Sequence, residues 1–162
     1  MQSIAFHIRK ATDRDLPSIL RLLEQANMHH IGTPEMPKLT YDTYLVAESP
    51  EGIVGFCGYK ILSDTEAKTE LMVVDSKYRG YGIGLMLQTK RMELLVARGV
   101  RTLTTNTDLP PTIAWYKKHF GYQETGTLRK INEFGDPTTD HWTTLQVDLV
   151  EWDRKRREAG EP

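Results

Sequence analysis

Apolar and polar residues follow one another in patterns that predict strands and helices in the order β-α-βββ-α-β-α-ββ. Residues 3–9 alternate between the two types, as a half-buried strand does. Between residues 16 and 26 the apolar positions keep the spacing of an amphipathic helix, and Thr12 with Asp15 three residues later is typical of a helix start. The remaining helices are predicted over about 83–98 and 111–119, and the remaining strands over 44–48, 53–62, 69–74, 101–106, 124–132 and 141–149.

These elements predict one α/β domain, with a single mixed, mostly antiparallel sheet of about six to seven strands flanked by helices. A length of 162 residues fits a single domain. We expect that domain to cover residues 1–150 and to be followed by a charged tail, residues 151–162. Between residues 28 and 38 one glycine and two prolines interrupt the helical pattern and predict an irregular segment.

The composition excludes several classes of protein. Lys and Arg number 21 and Asp and Glu 22, so the net charge is −1. The chain lacks the excess of basic residues that would indicate a nucleic-acid partner. Cys57 is the only cysteine, which excludes an internal disulfide and a cysteine zinc cluster. The first residues lack the apolar run of a signal peptide, and no apolar run approaches the roughly 20 residues that span a bilayer. We therefore expect a cytoplasmic protein with neither a membrane nor a nucleic acid as partner.

The segment Arg79–Gly84, with the sequence RGYGIG, joins a predicted strand directly to a predicted helix. Glycines allow the backbone to come close to a ligand, and the N–H groups and positive dipole end of a helix N-terminus attract an anion. Arg79 adds a permanent cation suited to phosphate. The P-loop pattern and the dinucleotide fingerprint both fail, because Leu85 stands where each requires a further glycine. A tight turn without a ligand is the alternative.

Two stretches resemble motifs of the GNAT superfamily of acyl-CoA-dependent N-acyltransferases. The stretch 70–84, ELMVVDSKYRGYGIG, is similar to the strand and pyrophosphate-binding loop of that family. The stretch 114–122, AWYKKHFGY, is similar to its helix motif, in which alanine, tyrosine, lysine, glycine and a final aromatic residue recur. The two occur in the family's order about 30 residues apart, and the resemblance extends over residues 4–149.

The resemblance implies a coenzyme A site built around the glycine loop. The loop would wrap the pyrophosphate, and backbone groups around Met72–Val74 would pair with the pantetheine arm. Thr105 and Asn106 would lie opposite, across a splay between the fourth and fifth strands. The implied donor is acetyl-CoA, used as a co-substrate, and no metal is expected. The cofactor-binding residues that the resemblance implies are Met72, Val73, Val74, Arg79, Gly80, Tyr81, Gly82, Ile83, Gly84, Asn106 and Tyr116.

Acyl transfer to an amine needs a base for the amine, a donor for the developing oxyanion and an acid for the departing thiolate. The resemblance implies that Tyr116 is the acid; the alternative is an aromatic residue that packs its helix on the sheet. Glu70, on the strand before the glycine loop, is the candidate base, acting directly or through water, unless it is a solvated strand residue. Backbone N–H groups near Met72 and Val73 are candidate oxyanion donors.

Three histidines and a tryptophan mark the candidate acceptor site. His29 and His30 follow the first helix, where the family borders its acceptor, and His141 and Trp142 begin the last strand. We expect these side chains to contact the substrate; structural roles are the alternative, and no third ligand beside the paired histidines is spaced to complete a metal site. The predicted function is transfer of an acetyl group from acetyl-CoA to an amine of a small molecule. Acylation of a protein lysine or N-terminus and a non-catalytic acyl-CoA sensor are the alternatives, and a homodimer is left open.

Overall fold

The computed structural model of the chain describes residues 5–26, 41–130 and 140–160. The strands in these ranges are β1 (His7–Lys10), β2 (Tyr44–Ser49), β3 (Gly52–Ile61), β4 (Glu66–Val74), β5 (Thr102–Thr107), β6 (Gln123–Arg129) and β7 (His141–Asp148). The α-helices of the same ranges are α1 (Leu16–Gln25), α2 (Ile83–Ala97), α3 (Pro110–Phe120) and α4 (Leu149–Glu158). Short 3-10 helices at Asp13–Asp15 and Ser76–Tyr78 precede α1 and follow β4. The predicted order of elements is confirmed as far as β7.

Within the described residues, seven strands form one sheet in the order β1-β2-β3-β4-β5-β7-β6. Antiparallel pairing joins β1 to β2, β2 to β3, β5 to β7 and β6 to β7, whereas β4 pairs parallel with β5. The expected mixed, mostly antiparallel sheet with flanking helices is thus confirmed. β4 begins at Glu66 rather than at residue 69, because its first three residues pair with β5.

The described parts of the segments Met1–Lys60 and Glu70–Met92 form one compact unit. Its core depends on the apolar side of α1, where Ile19, Leu22 and Leu23 recur at three- and four-residue spacing and are fully buried. These side chains belong to the same buried cluster as apolar residues of β2 and β3. Burial of each stabilises the fold by about 1.5–3 kcal/mol relative to an exposed position.

The described parts of the segments Ile61–Thr69 and Glu93–Pro162 form a second compact unit. Leu103 of β5, Leu145 of β7 and Leu149 at the start of α4 are fully buried in its core. Burial alternates along β7, since Leu145 is buried and the next residue along the strand is exposed. The predicted strands around the second half of the chain therefore share an apolar core of their own.

Helix α4 occupies most of the segment that the sequence analysis treats as a charged tail. Asp148 caps this helix, because its carboxylate accepts the N–H of Glu151 at 3.1 Å. Farther along the helix, Nη2 of Arg156 lies 3.0 Å from Oε2 of Glu93, and its guanidinium lies 4.7 Å from the ring of Trp152. Arg156 therefore ties this helix to its own unit through Glu93. The domain boundary at residue 150 stays a prediction.

Asp15 is buried at the start of α1 and ties this helix to β1. Its carboxylate accepts both Nη groups of Arg9, at 2.8 and 2.9 Å, and the backbone N–H of Thr12 at 2.8 Å. The predicted helix start, with Thr12 and an acid three residues later, is thus confirmed. The hydrogen bonds from Arg9 hold the pKa of Asp15 below its ordinary value of 3.8.

We expect Asp15→Asn to lower the free energy of unfolding at neutral pH by about 1.5–3 kcal/mol, the usual contribution of hydrogen bonds to a charged group. The carboxyl has a lower pKa in the folded protein than in the unfolded chain, so its stabilisation is complete above the ordinary value of 3.8 and is lost as the pH falls through the folded pKa. Urea unfolding of both proteins from neutral pH to about pH 3 measures the difference, which should shrink at the acidic end.

The exposed Asp13, in the same turn, provides the matched control. Asp13→Asn should change the free energy of unfolding by less than about 0.5 kcal/mol, as is usual at the surface. If the Asp15→Asn difference stayed constant down to the acidic end, the ion pair with Arg9 would not be its source.

Candidate functional site

The glycine loop runs from the end of β4 into α2 through two left-handed residues. Gly80 has a φ of 88° and Gly82 a φ of 79°, conformations that residues with side chains rarely adopt. A Cβ at either position would meet no neighbouring atom within 4 Å, so the backbone conformation requires glycine and crowding does not. The carbonyl of Gly82 accepts the N–H of Met86 at 3.0 Å and so begins the helix. The loop therefore exposes bare backbone next to a helix N-terminus.

Hydrogen bonds fix the residues that lead into this loop. Asp75 is buried, and its N–H donates to the carbonyl of Val54 at 2.8 Å. Its carboxylate lies 3.7 Å from Nη1 of Arg21 on α1. The N–H of Ser76 donates to Oε1 of Gln25, also on α1, at 2.9 Å. The loop thus starts from a point that is fixed on β3 and α1.

The N-terminus of α2 has the features of an anion-binding site. The N–H groups of a first helical turn have no partner within the helix, and the helix dipole is positive at this end. Arg79 is exposed beside them and adds a cation. Ile83, the first residue of the helix, is buried, and a Cβ on Gly55 would lie only 3.2 Å from its Cγ2. The first turn is therefore held by the core while Gly80 and Gly82 remain exposed.

β4 leads into the loop and carries the candidate base. Glu70, Leu71 and Met72 are half-buried, whereas Val73 is buried. Burial raises the pKa of Tyr44, and the carboxylate of Glu70 raises it further. The negative charge of Glu70 therefore acts on Tyr44, and the role of Glu70 as the base stays a prediction.

Two polar residues of α2 that are not among the predicted site residues are fully buried, Gln88 and Arg91. Arg91 donates from Nε to Oε1 of Gln88 at 2.9 Å. Its Nη1 donates to the carbonyls of Gly58 at 2.9 Å and Glu70 at 3.1 Å. The signal was present in the helical spacing, because Arg91 lies four residues after the buried Leu87 and so on the same side of the helix.

Tyr116 lies in the second unit, within a cluster of aromatic rings. It is buried, and its ring meets those of Trp115 and Tyr122 edge-on, with centroids 5.0 Å apart in each pair. The hydroxyl of Tyr122 accepts a hydrogen bond from Oγ1 of Thr105 at 3.3 Å, and Thr105 accepts one from Thr69 at 3.0 Å. The ring of Tyr116 therefore packs α3, and the catalytic hypothesis concerns its hydroxyl alone.

The predicted acceptor histidines are described only in part. His29 and His30 lie outside the described residues. His141 has a side chain that is 50% exposed, and its Nδ1 lies 3.2 Å from Oδ1 of Asp140. The contact with His141 lowers the pKa of Asp140. The side chain of His141 is therefore accessible and has Asp140 as an acidic neighbour.

Trp142 and Asn106, also predicted to contact ligands, both have neighbours in the second unit. Nζ of Lys130 lies 4.7 Å from the ring centroid of Trp142, a cation–π contact. The same Nζ lies 2.9 Å from Oδ2 of Asp108, and the side chains of Lys130 and Asp108 are both more than nine-tenths buried. Oδ1 of Asn106 accepts a hydrogen bond from Oγ1 of Thr144 at 2.7 Å. These contacts fix the orientation of both candidate residues.

The candidate residues thus divide between the two units. The glycine loop, Glu70 and Met72–Val74 belong to the first, and Asn106, Tyr116, His141 and Trp142 to the second. In the described part of the chain, no group of three or more His, Cys, Asp or Glu side chains is arranged to hold a metal ion. None of the described helices combines the length and the apolar character needed to cross a membrane.

Comparisons with known sequences point to one family. The family model described as "Acetyltransferase (GNAT) domain" matches residues 40–124, more than half of the chain. A protein of Bacillus subtilis (strain 168), named "Putative ribosomal protein bS18-alanine N-acetyltransferase", is 30% identical over 115 residues. The match covers 68% of this chain and 74% of that protein.

Solved structures share the fold. Ard1 from Thermoplasma volcanium superposes with a TM-score of 0.73 at 20% identity, covering 90% of this chain and 98% of its own. Arabidopsis thaliana Naa50, in complex with the bisubstrate analogue CoA-Ac-MVNAL, superposes with a TM-score of 0.69 at 17% identity, covering 90% and 99%. The family match, the curated relative and the strand-loop-helix geometry agree. The chain is therefore an acyltransferase that belongs to the GNAT family of acetyltransferases.

Proposed function

We propose that the protein transfers the acetyl group of acetyl-CoA to a primary amine, with the segment Arg79–Gly84 binding the pyrophosphate of the donor. The observation that carries this proposal is the pair of left-handed glycines, Gly80 and Gly82, at the N-terminus of α2. A pyrophosphate needs N–H donors and a close approach of backbone, and this loop offers both beside the cation of Arg79. Naa50, which shares the fold, is in complex with an analogue that contains CoA.

The proposed reaction assigns one group to each chemical requirement. A neutral amine attacks the thioester carbonyl, so that a carbon–nitrogen bond forms and the carbon–sulfur bond breaks. Glu70, directly or through a water, takes the proton that the amine loses. Backbone N–H groups of β4 near Met72 and Val73 stabilise the oxyanion. Tyr116 gives its hydroxyl proton to the departing thiolate.

The acceptor amine belongs to one of two classes. The sequence analysis predicts a small molecule, since the near-neutral charge gives no reason to prefer a basic protein tail. The name of the B. subtilis relative favours the α-amino group of a protein that begins with alanine. We put the α-amino group first, because this 30% identical relative is the observation that bears on the acceptor. In either class, His29, His30, His141 and Trp142 are the proposed acceptor contacts.

A comparison of kcat/KM among different amines tests the acceptor class. At a fixed concentration of acetyl-CoA, a peptide that begins with alanine should release thiol with a kcat/KM at least roughly tenfold above that of amino acids, polyamines and amino sugars. The same peptide with a blocked N-terminus and an internal lysine is the matched control and should be inactive. Turnover confined to a small amine would instead support the small-molecule acceptor that the sequence predicts. Tight binding of acetyl-CoA with no turnover on any amine would favour a sensor.

Gly82→Asp and Gly82→Asn form a matched pair that tests the pyrophosphate site. Both place a side chain of similar size at a left-handed position, which these two residues tolerate better than others. Aspartate alone adds a negative charge, and like charges about 4 Å apart near a surface repel by about 4 kcal/mol. We expect calorimetry to show acetyl-CoA binding to Gly82→Asp at least about 100-fold more weakly than to Gly82→Asn.

Gly99 provides the control at the other end of α2. It has a φ of 88°, and a Cβ added there would meet no atom within 4 Å, so Gly99→Asp carries a comparable backbone strain. This variant should bind acetyl-CoA like the wild-type protein. Equal affinities of Gly82→Asp and Gly82→Asn would show that no anion sits at the loop.

Tyr116→Phe keeps the ring contacts and removes only the hydroxyl. If that hydroxyl protonates the thiolate, kcat should fall by about 10²–10⁴-fold, the usual contribution of general acid–base catalysis. Tyr122→Phe is the matched control, because this neighbouring hydroxyl is also buried and accepts a hydrogen bond from Thr105. It should reduce stability by about 0.5–1.5 kcal/mol and leave kcat close to the wild-type value. Thiol release and thermal unfolding measure the two effects, and similar kcat values for both variants would leave Tyr116 with a packing role.

A further inference from the structure

Arg91 is a permanently charged side chain with no exposed surface. Its Nη1, which carries two hydrogens, has three carbonyl oxygens within reach: those of Gly58 at 2.9 Å, Glu70 at 3.1 Å and Leu71 at 3.4 Å. Its Nε and Nη2 both donate to Oε1 of Gln88, which is itself fully buried. A buried charge is stable only when hydrogen bonds replace its lost hydration. Much of that replacement here comes from the backbone of two strands.

Two of those carbonyls belong to consecutive residues of β4, which a regular strand does not allow. In a regular strand successive carbonyls point to opposite sides of the backbone, so that a single donor cannot reach both. Nη1 of Arg91 reaches the carbonyls of both Glu70 and Leu71. The backbone of β4 is therefore turned at this point, as at a β-bulge, with both carbonyls directed to Arg91.

Planar trans peptides then determine the direction of the neighbouring amides. The peptide bonds of the described residues are trans, and in a trans peptide the N–H points away from the carbonyl of the preceding residue. The N–H groups of Leu71 and Met72 are therefore both directed away from Arg91. Two adjacent donors with a common direction can stabilise one developing oxyanion.

We propose that Arg91, held by Gln88, is a positioning residue that keeps β4 in this turned conformation and so directs the N–H groups of Leu71 and Met72 at the carbonyl oxygen of the bound thioester. The inference rests on the proposed function, because it takes β4 to be the strand beside the acetyl-CoA thioester. It places the oxyanion donors one residue earlier than the proposed reaction does, at Leu71 and Met72 instead of Met72 and Val73. Arg91 acts through the backbone and does not touch the substrate. An arginine suits this role because its planar fork of five donors serves several oxygens at once, whereas a lysine ammonium is a compact point charge.

Arg91→Lys tests the proposal, because it keeps the charge but removes the fork. The probe is acetyl-CoA isotope-labelled at its carbonyl carbon, bound without an acceptor and observed by infrared difference spectroscopy. In the wild-type protein the carbonyl band should lie at lower frequency than in free acetyl-CoA, since two N–H donors polarise the bond. In Arg91→Lys it should return most of the way to the free position. kcat should fall by roughly 10²-fold, as when one oxyanion donor is removed elsewhere, while the Kd of CoA, which has no thioester carbonyl, stays within about twofold.

Leu95→Ala is the control for lost stability. Leu95 is fully buried one turn after Arg91 on the same helix, and its truncation should lower Tm by creating a cavity. The carbonyl band and kcat should nevertheless remain at their wild-type values. Gln88→Leu is the second test, because it withdraws the partner that orients the guanidinium and leaves Arg91 in place. It should move the carbonyl band part of the way towards the position in free acetyl-CoA. If Arg91→Lys does not fold, this variant alone tests the proposal.

Three results would overturn the proposal. The first is a wild-type band position in folded Arg91→Lys or in Gln88→Leu. The second is a Leu95→Ala variant with the same loss of band shift as Arg91→Lys, since general loosening would then explain both. The third is a wild-type protein that binds acetyl-CoA with no band shift, which would leave the glycine-loop proposal intact. Absence of acetyl-CoA binding to the wild-type protein would instead overturn the proposed function together with this inference.

Discussion

The packing of α2 against β3 and β4 is the constraint on which the first unit depends. Gly55 allows this packing, because a Cβ there would lie 3.2 Å from the side chains of Ile83 and Leu87 and from the carbonyl of Val73. From the same helix Arg91 reaches carbonyls of both strands. One helix thus carries the proposed anion site at its N-terminus and contacts the backbone of β4 through Arg91. Because protein interiors are close-packed, any shift of α2 would disturb the glycine loop and the backbone of β4 together.

Backbone groups carry much of the proposed donor site, which has a consequence for sequence variation. N–H groups at a helix start and along a strand can bind phosphate and polarise a carbonyl whatever the neighbouring side chains are. Ard1 and Naa50 share this fold at only 20% and 17% identity. The proposed acid and the acceptor contacts are side chains, and these are the positions where members of a family with one fold can differ in substrate.

Local patterns predicted most of the fold and the glycine loop, because periodicity and a strand-to-helix junction are visible within a few residues. Helix α4 is not among the predicted elements, because the charged residues 151–162 indicate a solvated segment and the contacts of this helix with its own unit are not visible in the local pattern. The start of β4 at Glu66 depends on pairing with β5, which is distant in sequence. The buried Arg91 is not among the predicted site residues, because arginine on a helix is usually exposed. The contact of Trp142 with Lys130 joins β7 to the residue that follows β6, and it has no local signal.

The proposed reaction depends on acetyl-CoA binding through the backbone of the glycine loop at the start of α2. The most direct measurement is a titration of the isotope-labelled protein with acetyl-CoA, followed by the NMR shifts of its backbone amides. The largest changes should fall on Gly80, Gly82 and Gly84. Gly99 and Gly121, which share the left-handed conformation at other helix ends, should change little. Saturable binding of acetyl-CoA that shifted these two glycines and left the loop unchanged would contradict the claim.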